Sequence, residues 1–399
     1  MRHGHWVLIT TLSGLLLITP ARADDELRQA LAVIKALKKE GRGNEDAGPA
    51  WKTVVSKGSA ALLPTLEAFD DTNPIASNWL RPAIDVIVNA ERSVGRKLPA
   101  DQLEAFATNT KFAPSARRLA YELLIAQDPD AKARLLPGFL NDKSPDLRRD
   151  AIANELAILD KSAKPSIRAD LEKLFAASRD QDQVELIAQK LKAHGVTVSV
   201  PEHFGFITQF ALIGPFDGPE GKGLTTVHPP EMAKAATGQF KGKDNAEIKW
   251  ITATTTDRYG TFDLNKLLGK HKNAVAYALA VVVAEKETPC EIRATSITSV
   301  KIFLNQKEIF ARDEYHHGDP LDAHIGKGLL KKGENVIVLK VCQNDQKEPW
   351  AQDWKFKLRV CDDTGGPISG LTQLPPNGGP PIKLGYIPPG SETHEEEKK

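Results

Sequence analysis

The densest run of groups able to do chemistry is Asp313-Glu314-Tyr315-His316-His317-Gly318-Asp319-Pro320-Leu321-Asp322-Ala323-His324. Imidazoles suit zinc and carboxylates suit a hard cation such as calcium, so this mixture selects neither, and the same groups could meet the hydroxyls of a sugar. His316, His317, Asp319 and His324 are therefore the candidate ligand-binding residues, and Asp313, Asp319 and Asp322 the candidate calcium ligands. The bland alternative is a solvated loop between strands, since loops carried on a rigid scaffold are polar by default. Trp350, in the loop Gln346-Lys347-Glu348-Pro349-Trp350, is the aromatic expected at the surface and completes the candidate ligand set, because a ring face can stack on a pyranose. Trp354 shares the phase of Phe356 and Leu358 and is expected in the core.

Signatures of catalysis are missing. The sequence has no GxSxG elbow, no HExxH, and no histidine pair at metal spacing on a predicted helix. Gly218-Pro219-Glu220-Gly221-Lys222-Gly223 lacks the GxxxxGK[ST] spacing of a phosphate loop and reads as a surface turn. No residue is assigned a catalytic role, and no cofactor is expected, with calcium the alternative that the 313–324 carboxylates leave open. Cys290, Cys342 and Cys361 are an odd set without CxxC spacing, which excludes haem attachment and a zinc ribbon.

The chain has 399 residues. Arg2 precedes a short apolar run from Trp6 to Thr19, followed by Pro20 and Ala21-Arg22-Ala23. This pattern predicts a signal peptide over residues 1–23, cleavage before Asp24, and a periplasmic or secreted protein. No later stretch is apolar enough to span a membrane, so none is expected after cleavage. Loss of Arg2 and Arg22 from the 53 basic residues leaves 51 against 52 acidic ones, and a chain so balanced lacks the basic surplus of a nucleic-acid binder.

From residue 24 to 198 the apolar period is helical, beginning with Leu27, Ala30, Leu31, Ile34 and Leu37 on one face. Pro114, Arg117, Arg118 and Ala120 return 31 residues later as Pro145, Arg148, Arg149 and Ala151, and Leu80-Arg81-Pro82-Ala83 reads as a degenerate earlier copy. Such a period implies stacked helical pairs, each too small to bury its apolar face alone. The segment from Leu136 to Ala151 resembles a HEAT repeat. That resemblance implies an α-solenoid in which Asp142 and Arg148 pair at the turn, with Arg149 left to solvent.

Near residues 196–206 the pattern changes to strands, and the all-α part should end there. The expected strands are Phe206–Gly214, Ile248–Thr255, Ala274–Ala284, Glu291–Ser296, Val300–Leu304, Asn335–Cys342 and Trp354–Cys361. In Trp354-Lys355-Phe356-Lys357-Leu358-Arg359-Val360 the cations share one face, as on the open side of a sandwich. If Asn335–Cys342 and Trp354–Cys361 form a hairpin, Cys342 and Cys361 lie too far apart to bond.

Three features together resemble a galactose-binding-like, jelly-roll β-sandwich of the kind found in exported planctomycete proteins. They are Ala211-Leu212-Ile213-Gly214-Pro215-Phe216-Asp217 with His228-Pro229-Pro230-Glu231 downstream, the hairpin from Val300 to Phe310, and the strand from Leu330 to Val341. The resemblance covers residues 204–364 and implies a fold without a fixed function. Its hairpins usually turn on Asn-Gly; Gln306 after Asn305 predicts a loop longer than two residues. Residues 365–399, rich in Pro and Gly and ending in charge, are expected to be a disordered tail.

The combined expectation is a multidomain protein, an all-α solenoid followed by an antiparallel β-sandwich, that binds or scaffolds. The helices would offer a surface to a protein partner and the sandwich would take a glycan or another cell-envelope component. The competing expectation is a hydrolase or metal-dependent enzyme with its site in the cleft between domains and the 313–324 loop contributing to it.

Overall fold

The computed structural model describes residues 20–38, 43–162 and 166–385. The expected leader up to residue 19 and the charged end from residue 386 lie outside that range. The described chain is helical in its N-terminal half and built of antiparallel sheets in its C-terminal half. Its contacts divide it into two compact units, one ending at Leu135 and one beginning at Leu136.

The first unit holds α1 (Pro20–Lys35), α2 (Asn44–Ser56), α3 (Leu62–Glu67), α4 (Pro74–Ser93), α5 (Ala100–Thr108), α6 (Pro114–Ile125) and α7 (Ala131–Leu135). Leu27, Ala30, Leu31, Ile34 and Leu37 are all buried, as a helical stripe requires. Pro114 opens α6, where its missing N–H has no intrahelical partner to lose. Pro82 lies inside α4, so Leu80–Ala83 is no copy of a helix start. Arg117 is buried and its Nε donates to the Ala107 carbonyl at 2.9 Å, stitching the start of α6 to the end of α5.

In the second unit come α8 (Pro145–Leu159), α9 (Ile167–Ala177), α10 (Gln181–Ala193) and α11 (Val200–Phe204). Arg148 on α8 is buried, and its Nη1 donates to the Asp142 carbonyl at 2.6 Å. The expected partner was the Asp142 carboxylate. That group instead accepts from the Ser144 amide at 2.8 Å, bracing the turn, so the backbone oxygen is what faces the guanidinium. Arg149 is half-exposed and grips Asp182 rather than standing free.

These four helices share an apolar cluster with Phe206, and Tyr259 and Leu321 pack against it. The switch from helix to strand falls between Phe204 and Gln209, but the compact unit spans it because that cluster is common to both sides.

The strands are β1 (Gln209–Asp217), β2 (Gln239–Lys241), β3 (Glu247–Lys249), β4 (Ile251–Thr254), β5 (Phe262–Asp263), β6 (Ala274–Ala284), β7 (Thr288–Thr295), β8 (Val300–Leu304), β9 (Lys307–Arg312), β10 (His324–Leu330), β11 (Gly333–Gln343), β12 (Lys355–Cys361), β13 (Thr372–Leu374) and β14 (Ile382–Lys383), with α12 (Leu264–Leu268) after β5. One sheet runs β14-β13-β6-β11-β8-β9, with β1 pairing both β6 and β4; a second runs β10-β7-β12-β5; β2 and β3 pair alone. Side chains from the two larger sheets meet in one core that includes Phe210, Ala276, Ala278, Ile292, Trp354 and Phe356. Both faces of β6 are buried: its alanines enter this core while Val275, Tyr277 and Leu279 enter a second cluster on the other side.

Four expectations fail here. Strands β11 and β12 do not form a hairpin. The first pairs with β6 and β8 and the second with β7 and β5, so Cys342 and Cys361 stand in different sheets; all three thiols are free and buried. Asn305 and Gln306 form a two-residue turn, both left-handed (φ +51° and +68°). Asn305 Oδ1 accepts from the Val336 amide at 2.9 Å and Gln306 Nε2 donates to the Met232 carbonyl at 2.6 Å, which holds the unfavourable turn in place. Segment 365–385 is not a disordered tail: β13 pairs with β6 and β14 with β13, because β6 leaves one edge open beyond its pairing with β1. Arg359 on β12 is buried, so that strand's cationic face is not open throughout.

Candidate functional site

The 313–324 segment joins β9 to β10 at one end of the sheets. His316 adopts a left-handed backbone (φ +60°), fixed by its amide donating to the Ile297 carbonyl at 2.6 Å. Its Nε2 lies 3.1 Å from Asn344 Oδ1, and its ring meets Trp350 edge-on with centroids 5.0 Å apart. Trp350, on the turn Pro349–Ala351, is 58% exposed. Two of the expected ligand-binding residues are thus brought together around an accessible indole.

The other members disperse. His317 Nδ1 lies 2.6 Å from the Gly318 carbonyl, and its ring stands perpendicular to that of His324 at 5.3 Å. His324 is buried, 3.2 Å from the Ser296 carbonyl, and burial pushes its pKa down. Among the described residues Asp319 comes no nearer to a cation than 4.0 Å from Lys355.

The three expected calcium ligands do not converge. Asp313 Oδ1 accepts from Ser299 Oγ at 2.7 Å. Asp322 is gripped by two guanidiniums: Arg359 Nε reaches Oδ1 at 2.7 Å, and Arg293 Nη1 reaches Oδ2 at 2.8 Å. Burial alone would raise the Asp322 pKa, but Arg359 and Arg293 outweigh it and hold the carboxyl below its usual range. Its oxygens are committed to cations already present, and Arg359 continues to the carbonyls of Phe204 at 3.0 Å and Gly365 at 2.9 Å. Arg359 therefore ties β12 to α11 and to the loop after β12, while Asp322 clamps the end of the 313–324 segment to β12 and β7. Among the described residues no group of three or more His, Cys, Asp or Glu side chains is arranged to hold a metal ion.

A second polar assembly was not singled out for chemistry by the sequence reading. Lys340 on β11 is fully buried, and its Nζ donates to Glu231 Oε1 at 2.7 Å, the Leu224 carbonyl at 3.0 Å and the Thr226 carbonyl at 2.6 Å. Tyr277 Oη on β6 donates to the same carboxylate oxygen at 2.8 Å, and His228 Nδ1 lies 2.9 Å from Tyr277 Oη. Burial opposes ionisation of Glu231, yet Lys340 and Tyr277 hold its pKa down. Burial pushes the neighbouring Cys342 thiol up to about 12, so it stays protonated and inert. Two signals in the sequence mark this assembly: the His228-Pro229-Pro230-Glu231 run, and a lysine in the phase of Val336, Val338 and Cys342 on an otherwise apolar strand face. With every hydrogen of the ammonium in use, the arrangement anchors the 218–232 excursion to the sheet.

A cleft of about 420 Å³ in the second unit lies where α10 and α11 meet Thr256 and Arg258. Gln189, Lys192 and Ser199 line it, and no residue of the 313–324 loop does. A smaller cleft of about 310 Å³ opens beside the Trp350 turn, between Lys270–Lys272 and Lys347. No helix among the described residues is long and apolar enough to cross a membrane.

No protein-family model matches the sequence, and no curated protein matches it. Among solved structures the chain is similar to a beta-glucosidase from Kluyveromyces marxianus, at 10% identity over 54% of this chain, with a TM-score of 0.24. This chain spans about a third (32%) of the length of that enzyme's chain. A likeness this slight carries no argument about fold or activity.

Proposed function

We propose that the chain is a non-enzymatic binding protein acting outside the cytoplasm, exported by the leader over residues 1–23. In this reading the helices are HEAT-like solenoid repeats that offer a surface to a protein partner. The paired sheets are a galactose-binding-like jelly roll that takes a glycan of the cell envelope. The observation that carries the glycan assignment is Trp350, exposed and braced edge-on by His316, whose own ring is held at Asn344. An indole fixed in this way presents a flat apolar face next to polar groups, the combination that a sugar ring with its axial hydrogens and hydroxyls requires. Buried Arg117 and Arg148, at matching positions and each tied to a backbone carbonyl just before its own helix (Ala107 at the end of α5, Asp142 in the turn before α8), support the repeat reading.

A glycan array followed by titration calorimetry tests the proposal. Binding that disappears in Trp350→Ala, with the melting temperature unchanged, is the expected result. A sugar bound equally by the variant would place the site elsewhere, and hydrolysis of a bound sugar would replace the reading with an enzymatic one.

A further inference from the structure

We infer that the glycan bound at Trp350 is anionic, its carboxylates or sulfates entering the cleft beside the indole; the inference rests on the glycan reading above. Asn265, Lys270, His271, Lys272, Lys347 and Gln352 line that cleft. Three lysines and a histidine are among the lining residues and no Asp or Glu is, although Glu348 and Asp345 act electrostatically on Lys272 from beside the cleft. Lys270, Lys272 and Lys347 have no ion-pair partner among the described residues. An anion entering among three ammonium groups that no carboxylate holds in a salt bridge would be drawn in electrostatically.

The walls are also braced. Lys272 Nζ donates to the Ala351 carbonyl at 2.8 Å, Asn265 Nδ2 to the Gln352 carbonyl at 2.8 Å, and Gln352 Nε2 to the Lys347 and Glu348 carbonyls at 2.8 and 2.9 Å. These bonds fix the turn that carries Trp350 as one wall of the cleft, so the stacking face and the cationic lining are held together before any ligand arrives. Such preorganisation lowers the entropy lost on binding.

Calorimetry of the full chain with three probes of matched length decides the matter: an oligogalacturonate, a heparin-derived sulfated oligosaccharide and a neutral maltooligosaccharide, each at low and near-physiological salt. The expected result is binding of at least one anionic probe, weakened several-fold by salt, and reduced about tenfold by the double change Lys270→Gln, Lys347→Gln. Those two side chains hold no other group, so the melting temperature should not move. Binding of the uronate alone assigns carboxylate recognition, and of the heparin fragment alone sulfate recognition. If the neutral sugar binds as tightly and the lysine changes leave it unmoved, the anionic assignment is overturned and the glycan reading stands. If no sugar binds, both fall, and binding of a single-stranded oligonucleotide through the same lysines would reassign the cleft to phosphate.

Discussion

Two histidine-bearing segments of the second unit make opposite use of their polar groups. Residues 313–324 hold seven imidazoles and carboxylates within twelve positions, yet His317, His324, Asp313, Asp319 and Asp322 each turn to a different partner. Residues 228–231 contribute only His228 and Glu231, and these meet Tyr277 and Lys340 from two adjacent strands in a single buried network. Density along the chain is set by the residues themselves. Convergence is set by which strands lie side by side, and β6 and β11 do so over eleven paired positions.

The contrast is most easily broken at Glu231. Glu231→Ala leaves a fully buried ammonium without its carboxylate, and the second unit should lose about 3–5 kcal/mol in denaturant unfolding, while Asp319→Asn should change nothing measurable. Pairing it with Lys340→Met should restore most of the loss. Equal effects of Glu231→Ala and Asp319→Asn would mean that the two segments do not differ.

Acid should act next. His203 on α11 is buried, with Nε2 3.0 Å from the Ser178 carbonyl, and burial pushes its pKa down to about 3, helped by Arg179. Its folded pKa lies below its unfolded value near 6.5, so between those limits the unfolded chain binds a proton that the native one refuses. Stability is therefore full above pH ~6.5 and falls by roughly 3 kcal/mol by pH ~4. In His203→Gln that part of the pH slope should vanish; an unchanged slope would assign it to other groups, His324 first.

Arg148 and Arg149 are neighbours with unequal surroundings. Arg148→Ala removes a buried guanidinium bonded to the Asp142 and Thr364 carbonyls, which should cost about 2 kcal/mol, whereas the half-exposed Arg149–Asp182 pair should contribute under ~1. Thermal melts of the two variants check the order. Smallest of all should be the effect of Trp350→Ala on stability, indistinguishable from zero, because the side chain is largely exposed and lies outside the core.

What was legible in the sequence follows from the range of the forces involved. Ala274–Ala284 and Val300–Leu304 have the bounds that alternation gave them, and the buried stripe of α1 is the one its period marked. Strand β10 was not foreseen because Gly326 and Gly328 carry no β propensity. They are small for a packing reason that lies on other strands: a Cβ at these positions would stand 2.9 Å from Ile309 Cδ1 and 2.6 Å from Leu304 Cδ2. Strands β13 and β14 escaped for a similar reason, since their pairing depends on the vacant edge of β6 and not on their own Pro- and Gly-rich surroundings. At the candidate site the exposure of Trp350 was readable from its loop. Its contact with His316, 34 positions earlier, was not, because the hairpin assumed for β11 and β12 would have put that loop elsewhere.

The anchor at Tyr277 has one further property, which appears when its hydrogens are counted. Three contacts run outward from Glu231: Tyr277 Oη to the carboxylate, His228 Nδ1 to Tyr277 Oη, and His228 Nε2 to the Asp217 carbonyl at 3.1 Å. The phenol owns one hydrogen and a neutral imidazole owns one, so two hydrogens must serve three contacts. A doubly protonated ring would fill all three, but burial and the charge of Lys340 push the His228 pKa down and keep the ring neutral at ordinary pH. With the phenol hydrogen directed to Glu231, the single ring hydrogen can sit on Nδ1 facing Tyr277 or on Nε2 facing Asp217, and never on both. The heavy atoms of the anchor are fixed while its hydrogens have two arrangements, and the choice between them is a choice of imidazole tautomer.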